Sequence, residues 1–494
     1  MIQGDLNLNL NDQYSIIPPP IPESLPTTPG PKIQFDEIND NYQTISLPQQ
    51  IRPNLIKNDT STTLNRLLGE DEIDENIMSL FNPQKNFYRV ISSCTWTFML
   101  GMSDGCLGSL LPYIEDYYNI SYAIVSLIWL GNALGFILIA FTAHIFDSKL
   151  GKYKSFILSS IFFIICYSIV STGTKFPIII IGYFFAGLGG AIGLSQFNIF
   201  LAKLLNGSKY LGLFHGCYGM GATIAPLVAT SMVNHGIKWH FFFFLPLAAS
   251  ISNLLLIIPS FKGIDDDLKK FDIVDQDQDQ DLISNEIKEE SHDFKSAFKD
   301  YRTWLTCIFI FFYQGAEVSM GGWVVTFLLE YRDGNLNSTG YVSSGFWGGV
   351  TLGRFLLTHF LSTKFGVRKS ILLISLIIFS LDILAWLIPN VIASAIFACF
   401  IGLFIGPIYP MMIVLVTKIL PRKIRFCALT LGTAFGSSGG SAIPFTIGIA
   451  SEFIGTYVLH PIFLGCYFCM IMAWLCFPNI ERIGGIKNFW QRIW

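Results

Sequence analysis

The sequence predicts an all-α membrane protein whose twelve transmembrane helices form two six-helix bundles. Of its 494 residues, 52% are apolar and only 14% are charged, whereas a soluble domain carries about 25% charged residues. Apolar stretches of about 20 residues, the length that crosses a bilayer as a helix, recur from Phe87 onward. The two halves of this apolar region also share residues at a nearly constant offset, which indicates an internal duplication.

The predicted spans form two groups of six, separated by a polar linker. The first group is 88–113, 121–145, 155–173, 177–202, 211–235 and 240–260. The second group is 303–328, 339–361, 370–389, 391–417, 425–450 and 457–478. Residues 1–87 form an acidic, proline-rich tail that we expect to be disordered, the linker 261–302 is expected to be a solvated loop, and 479–494 form a short second tail.

Lysine and arginine in the short loops predict the orientation. The loops after even-numbered spans carry Lys149, Lys152, Lys154, Lys203, Lys209, Lys364, Arg368, Lys369, Lys418, Arg422, Lys423 and Arg425. The loops after odd-numbered spans carry Lys175, Lys238 and Arg332. Because basic loops stay in the cytoplasm, both termini and the linker are expected there. Either the plasma membrane or the vacuolar membrane fits this topology.

The duplication places equivalent residues in the same orientation. The sequence FAGL at 185–188 recurs as FIGL at 400–403, and Gly151 recurs as Gly366, both 215 residues later. Gly131 and Gly135 recur as Gly349 and Gly353, 218 residues later. A parallel duplication of six spans implies two bundles related by an axis along the membrane normal, with the substrate bound between them near the midplane.

Several motifs carry a resemblance to a known family. The loop Asp147-Ser-Lys-Leu-Gly-Lys-Tyr-Lys resembles the signature loop of the major facilitator superfamily, and Ser362-Thr-Lys-Phe-Gly-Val-Arg-Lys resembles its second copy without the acid. The stretches Gly348-Gly-Val-Thr-Leu-Gly-Arg-Phe, Ile408-Tyr-Pro and Gly439-Gly-Ser-Ala-Ile-Pro are similar to the fucose-permease branch. This resemblance, which covers about 87–480, implies a transporter with the major facilitator fold.

Two further phrases narrow the resemblance. His215-Gly-Cys-Tyr-Gly-Met-Gly-Ala and Glu317-Val-Ser-Met-Gly-Gly-Trp resemble the fungal relatives of that branch, the bypass-of-stop-codon-type transporters. The bacterial sugar/proton symporters of the branch carry an acidic residue in the fourth span, but Gly189–Asn198 contains none. Any proton site in this chain is therefore expected elsewhere.

Few ionisable residues lie deep inside the spans, where a charge costs several kcal/mol unless it meets a partner or water. Asp104 lies in the first span and Glu317 in the seventh, 213 residues apart, with Gly108 and Gly321 in the same register. We expect both acids to face the central cavity and to accept a proton or a substrate hydrogen bond. The alternative is a structural acid tied to His215 or Arg354.

The other ionisable candidates leave alternatives open. His215, in the fifth span, suits proton transfer or packing between close helices. Arg354, in the eighth span, could bind the substrate or could pair with Glu317 or Asp382. Asp382 is expected to be structural because the ninth span is peripheral in the superfamily that the sequence resembles.

The uncharged candidates are polar and aromatic residues suited to a polyhydroxylated solute. They are Gln196, Asn198, Gln314, Trp323 and Tyr409, together with Trp96, Tyr218 and Trp347. The charged residues at helix ends are expected to act in gating between conformations. They are Asp147, Lys149, Lys152, Lys364 and Arg368.

These features predict a secondary transporter of a small polar organic solute, for example a sugar, coupled to protons and working by alternating access. The chain carries no Walker loop and no metal-ligand spacing, so we expect neither an enzyme nor a cofactor. Its expected partners are the solute, protons and lipid, without nucleic acid, and we expect a monomer. An exporter of amphipathic compounds and a non-transporting membrane sensor remain alternatives.

Overall fold

The computed structural model describes residues 78–278 and 294–478, except for the side chains of 140–141, 143–149, 272–278, 294, 422–423 and 426. Within these ranges all regular structure is helical. The predicted tails, apart from residues 78–87, lie outside the described residues, as do linker residues 279–293.

The first half of the chain forms six helices. They are α1 (Lys85–Tyr118), α2 (Tyr122–Val125), α3 (Leu127–Ser171), α4 (Phe176–Ala202), α5 (Gly207–Asn234) and α6 (Phe244–Ser260). Two linker helices follow, α7 (Ile264–Gln278) and α8 (Phe294–Lys299). The second half forms α9 (Tyr301–Glu330), α10 (Leu336–Leu352), α11 (Thr358–Phe365), α12 (Val367–Leu387), α13 (Val391–Ile405), α14 (Ile408–Ile419), α15 (Arg422–Ile454) and α16 (Leu459–Leu475).

Nine segments in the described ranges are long and apolar enough to cross a membrane. Helices α1, α10 and α15 occupy the three remaining predicted spans but are less apolar, so the count of twelve stays a prediction. Their composition has a physical reason. Each of the three packs against the other half of the protein, and a helix surface covered by protein needs no lipid-compatible side chains.

The predicted duplication recurs in the backbone and in the packing. Gly151 divides α3 with φ +73°, and its equivalent Gly366 precedes α12 with φ +77°, a conformation that favours glycine. A Cβ atom on Gly135 would lie 2.3 Å from the Phe184 carbonyl oxygen, and one on Gly353 would lie 2.0 Å from that of Leu403. Glycine at these equivalent positions lets α3 approach α4, and α10 approach α13, closely.

The start of the linker is a packed helix rather than the solvated loop expected from the sequence. Ile264, Leu268 and Phe271 of α7 are buried. The Asp265 carboxylate accepts the main-chain N–H of Lys152 at 2.7 Å and that of Tyr153 at 3.2 Å, which caps the helix that resumes after Gly151. The linker was predicted to be a loop because its overall composition is polar. Three apolar residues at helical spacing nevertheless pack α7 against the first half.

A buried ion pair also holds α7 in place. The Arg89 side chain of α1 is fully buried and donates to Asp267 Oδ2 at 2.6 Å. The same guanidinium donates to the Ser260 carbonyl oxygen at 2.8 Å and to Asn86 Oδ1 at 2.9 Å. The charge of Arg89 is therefore satisfied where α1, α6 and α7 meet.

The second half begins with a charged cap. Asp300 accepts the main-chain N–H of Arg302 at 2.8 Å at the start of α9, and the Arg302 guanidinium also donates to this carboxylate. These hydrogen bonds hold the pKa of Asp300 below its ordinary value. The cap thus remains charged at neutral pH and fixes the first turn of α9.

Contacts between the two halves cluster towards one membrane surface, which we call the closed side. It is the side of the sparsely basic loops that follow α1, α5 and α9. There Asn234 Nδ2 donates to the Asn337 carbonyl oxygen at 2.8 Å. A Cβ atom on Gly108 of α1 would lie 2.0 Å from the Gly321 carbonyl oxygen of α9. The two glycines thus bring the halves into backbone contact.

We predict that Asp267→Asn lowers the midpoint of thermal unfolding by several degrees. The substitution leaves the buried Arg89 without its anionic partner, at a cost of about 2 kcal/mol because Asp267 itself is partly exposed. Unfolding of the purified protein in detergent provides the measurement. Asp266→Asn is the matched control, because Asp266 is exposed on the same helix. Equal midpoints for the two variants would contradict the anchoring role of Asp267.

Candidate functional site

A buried ion pair lies at the centre of the second half. Arg354 Nη2 donates to Glu317 Oε1 at 2.8 Å, and the side chains are 21% and 7% exposed. Of the partners that the sequence left open for Arg354, the structure therefore selects Glu317. Asp382 instead contacts His460, with Oδ1 and Nδ1 2.8 Å apart and both side chains buried. That pair joins α12 to α16, as expected for a structural acid.

The backbone of Arg354 departs from the α-helix. Residues Gly353–Leu357 form a π-helical turn between α10 and α11. Such a turn inserts an extra residue into the helical repeat and re-aims the side chains it carries, and π turns are frequent at functional sites. Gly353 at its start packs against the Leu403 carbonyl oxygen. The turn therefore positions Arg354 opposite Glu317 while α10 remains packed on α13.

The first half contributes a carboxylate with a neutral partner. Tyr218 Oη of α5 donates to Asp104 Oδ2 of α1 at 3.0 Å. Among the described residues the partner of Asp104 is thus Tyr218, rather than His215 or Arg354, the two considered from the sequence. A phenol supplies a hydrogen bond but no balancing charge. Protonation of Asp104 would therefore break no ion pair, whereas protonation of Glu317 would.

The two acidic sites meet at the boundary between the halves. The Tyr218 ring contacts Trp347 of α10 edge to face, with centroids 6.4 Å apart. Tyr218 is also near enough to interact electrostatically with Glu317 and Arg354. His215, three residues earlier on α5, lies within electrostatic reach of Arg354. The hydrogen-bonded pairs Asp104–Tyr218 and Glu317–Arg354 thus lie within electrostatic range of each other across the boundary, and we call these four residues the polar network.

Aromatic side chains surround this network. Tyr409 of α14 stacks on Tyr313 of α9 with centroids 6.0 Å apart, and both interact electrostatically with Glu317 and Arg354. The buried indole Nε1 of Trp347 has no hydrogen-bond partner within the described part of the chain. Rings beside unsatisfied donors suit a solute that carries both apolar faces and hydroxyl groups.

The remaining uncharged candidates occupy different places. Trp323 lies in the closed side, where its Nε1 donates to the Pro444 carbonyl oxygen at 3.0 Å and its ring packs on Trp129 with centroids 5.6 Å apart. Gln314 lies against Gly436 of α15, within its own half. Gln196 is buried and Asn198 is half-buried on α4. The structure thus brings Tyr409 close to the polar network. It places Trp323 among the contacts between the halves on the closed side, which we call the seal.

Of the residues expected to act in gating, the three whose side chains the structure describes have separate partners. The side chains of Asp147 and Lys149 lie outside the described part of the structure. Lys152 contributes its main-chain N–H to Asp265, and the Lys364 ammonium lies 5.1 Å from the Phe360 ring centroid. Arg368 donates to the Pro478 carbonyl oxygen at 3.0 Å and to that of Phe477, which ties α12 to the end of α16.

Sequence reasoning missed Tyr313 and Trp129. Tyr313 precedes Glu317 by four residues, so the two share a helix face, and this spacing was an available signal. Trp129 was not among the candidate residues. Its packing on Trp323 joins α3 to α9 across the halves, a contact that no local pattern in the sequence indicates.

We predict that Glu317→Gln and Arg354→Gln each lower the thermal midpoint, and that the double variant is more stable than either single one. Each single change leaves one buried charge without its partner, at a cost of about 3 kcal/mol, whereas the double change removes both charges. Thermal unfolding of the three variants forms a double-mutant cycle. Additive losses in the double variant would show that the pair does not interact. Glu452→Gln, at an exposed carboxylate of α15, is the control.

Comparison with known proteins extends these observations to a family. The sequence profile of the Major Facilitator Superfamily matches residues 94–361. Bypass of stop codon protein 6 of Saccharomyces cerevisiae is 26% identical over 425 residues, which cover 80% of this chain and 83% of that protein. The resemblance to the fungal bypass-of-stop-codon-type proteins is thereby confirmed.

Solved structures show the same fold. The D-xylose-proton symporter superposes with a TM-score of 0.62 and 13% identity, covering 81% of this chain and 99% of that one. The fucose:proton symporter of E. coli superposes with a TM-score of 0.53 and 15% identity, covering 78% and 97%. The family match over more than half of the chain, together with this fold, leads to one conclusion: the chain belongs to the Major Facilitator Superfamily and is a membrane transporter rather than an enzyme.

Proposed function

We propose that this protein moves a small polyhydroxylated solute, such as a sugar, across its membrane in symport with protons by alternating access. The observation that carries the proposal is the network in which Asp104–Tyr218 of one half meets Glu317–Arg354 of the other. Carboxylates from both halves then face one solute site near the midplane, as expected for a transporter built from parallel repeats. The shared fold with a D-xylose-proton symporter and a fucose:proton symporter supports the solute class.

The two acids are proposed to have different tasks. Asp104 accepts and releases the transported proton, because its partner Tyr218 is neutral and stays bound in either protonation state. Glu317 and Arg354 respond to the solute. A hydroxyl group that bonds to one member of the pair weakens the contact between them, which couples solute binding to movement of α9 against α10. Tyr313, Tyr409 and Trp347 provide rings and donors around the solute.

The conformation is proposed to be the one open to the cytoplasm. If the basic loops are cytoplasmic, the closed side faces away from the cytoplasm. The bundles 88–260 and 303–478 then rock about the central network, and the seal around Gly108, Gly321 and Trp323 opens in the opposite state. The solute is released to the cytoplasm from the state described here. The protein is proposed to act as a monomer in the plasma or vacuolar membrane.

We predict that Asp104→Asn abolishes accumulation driven by a pH gradient while exchange of solute between the two faces continues. The asparagine keeps a hydrogen bond to Tyr218 but carries no transported proton. Uptake of radiolabelled D-xylose, L-fucose and D-glucose into proteoliposomes, with an imposed gradient and in counterflow, measures both activities.

The control is Asp116→Asn, which changes an exposed acid at the end of the same helix. If gradient-driven accumulation persists in Asp104→Asn but disappears in Glu317→Gln, the residue that carries the transported proton is Glu317 and not Asp104. Absence of uptake of all three sugars by the unmodified protein would contradict the proposed solute class.

We predict that Gly108→Leu shifts the population away from the closed-side contact. The new side chain would meet the Gly321 backbone, which cannot rotate out of the way as a side chain could. Cysteines at positions 234 and 337, whose parent asparagines are hydrogen-bonded across the halves, report the change through their rate of cross-linking. Gly212→Leu is the control, because nothing lies within 4 Å of a Cβ atom there. Unchanged cross-linking in Gly108→Leu would contradict this account of the seal.

A further inference from the structure

An apolar groove of about 470 Å³ lies between α1 and α5, away from the polar network. Its walls include Phe87, Ile91 and Phe98 of α1 and Tyr210, Leu213 and Cys217 of α5. The hydroxyl of Thr95, which also lines it, donates to the carbonyl oxygen of Ile91 on its own helix. The groove therefore offers apolar surface and almost no unsatisfied polar group.

The length of the groove corresponds to one leaflet of a bilayer. It follows α1 from Phe87, at the start of the first span, to Phe98. Eleven residues of α-helix rise about 16 Å, and half of a hydrocarbon core measures about 15 Å. The groove thus runs from the membrane surface on the basic-loop side to about the bilayer centre, which is the depth that one acyl chain reaches.

The surface end of the groove carries positive groups. The Lys209 ammonium lies 6.0 Å from the centroid of Tyr210, a wall residue. Lys85 shares a face of α1 with Arg89 rather than with the groove residues, and its Nζ lies 3.1 Å from the carbonyl oxygen of Lys262. Helix α5 begins at Gly207 without a side-chain cap, so the positive end of its dipole lies at the same surface.

Two of the three acids in the first turn of α7 have partners of their own, and the third, Asp266, is exposed. Asp267 pairs with Arg89, and Asp265 accepts two main-chain N–H groups of α3. Their charges are therefore committed within the protein. An apolar groove one leaflet deep, with the Lys209 ammonium and the start of α5 near its surface end, has the shape and charge complementary to a phospholipid of negative net charge.

We propose that this groove binds one acyl chain of an anionic phospholipid from the leaflet on the basic-loop side, with the phosphate beside Lys209 and the start of α5. The lipid lies against the helices that carry Asp104 and Tyr218 but touches neither residue. It fills the space between α1 and α5 and so stabilises their packing at the basic-loop end. The site is independent of the solute and of proton coupling.

The test uses the full-length protein in nanodiscs of equal parts phosphatidylglycerol and phosphatidylcholine, followed by native mass spectrometry of the protein released from them. We expect one phosphatidylglycerol to be retained in preference to phosphatidylcholine. Leu213→Trp, which fills the groove, should abolish its retention. Lys209→Gln should weaken the preference about fivefold, the effect of one ammonium group near an anionic headgroup.

Two matched variants complete the comparison. Leu227→Trp adds the same bulk at an exposed position of α5 that does not line the groove, and Lys154→Gln removes an exposed charge from the same membrane surface. Both should retain phosphatidylglycerol as the unmodified protein does. Equal retention of the two lipids by the unmodified protein, or undiminished retention by Leu213→Trp, would overturn the proposal.

A second measurement does not depend on how well Leu213→Trp folds. Cys217 lines the groove, so a bound acyl chain should protect it from a membrane-permeant maleimide. We expect Cys217 of the unmodified protein, followed by peptide mass spectrometry, to react several times more slowly in phosphatidylglycerol than in phosphatidylcholine nanodiscs. Equal rates would show that no anionic lipid occupies the groove.

Discussion

The ion pair between Glu317 and Arg354 is the interaction on which the centre of this transporter depends. Neither charge could remain alone between membrane helices without a cost of several kcal/mol, so each requires the other. Because the pair joins α9 to the π turn after α10, it fixes how these helices face each other and where the rings of Tyr313 and Tyr409 stand. In the proposed mechanism this contact also moves, because a solute hydroxyl replaces one of the two partners.

The two halves share their helix packing but differ in their buried charges. Gly135 and Gly353 make equivalent close contacts in the two halves, which gives both the same helix packing. Arg354, one residue after Gly353, has its equivalent in Phe136. Among the residues that the structure describes, only the second half therefore has a cation opposite its acid. Asp104 in the first half depends on the neutral Tyr218, and this asymmetry gives two equivalent acids different chemistry.

Some of the central site could be predicted from composition alone, because an ionisable residue inside an apolar span is conspicuous. Asp104, Glu317, His215 and Arg354 were found in this way. The choice of partner could not be predicted, since it depends on which helix faces meet. Trp323 shows why sequence position alone was not enough. It follows Glu317 by six residues, a rise of about 9 Å along α9, and therefore lies in the seal against Trp129 rather than in the polar network.

The sequence by itself determined the fold class, the division into halves and the positions of the buried charges. These follow from hydropathy, from the repeat and from the cost of charge in a membrane, all of which are local properties of the chain. Only the tertiary structure decided that α7 packs on the first half and which surface is sealed. The same is true of the contact between Tyr218 and Trp347 across the boundary. Contacts between residues far apart in sequence depend on helix rotation and close approach, which short-range patterns do not encode.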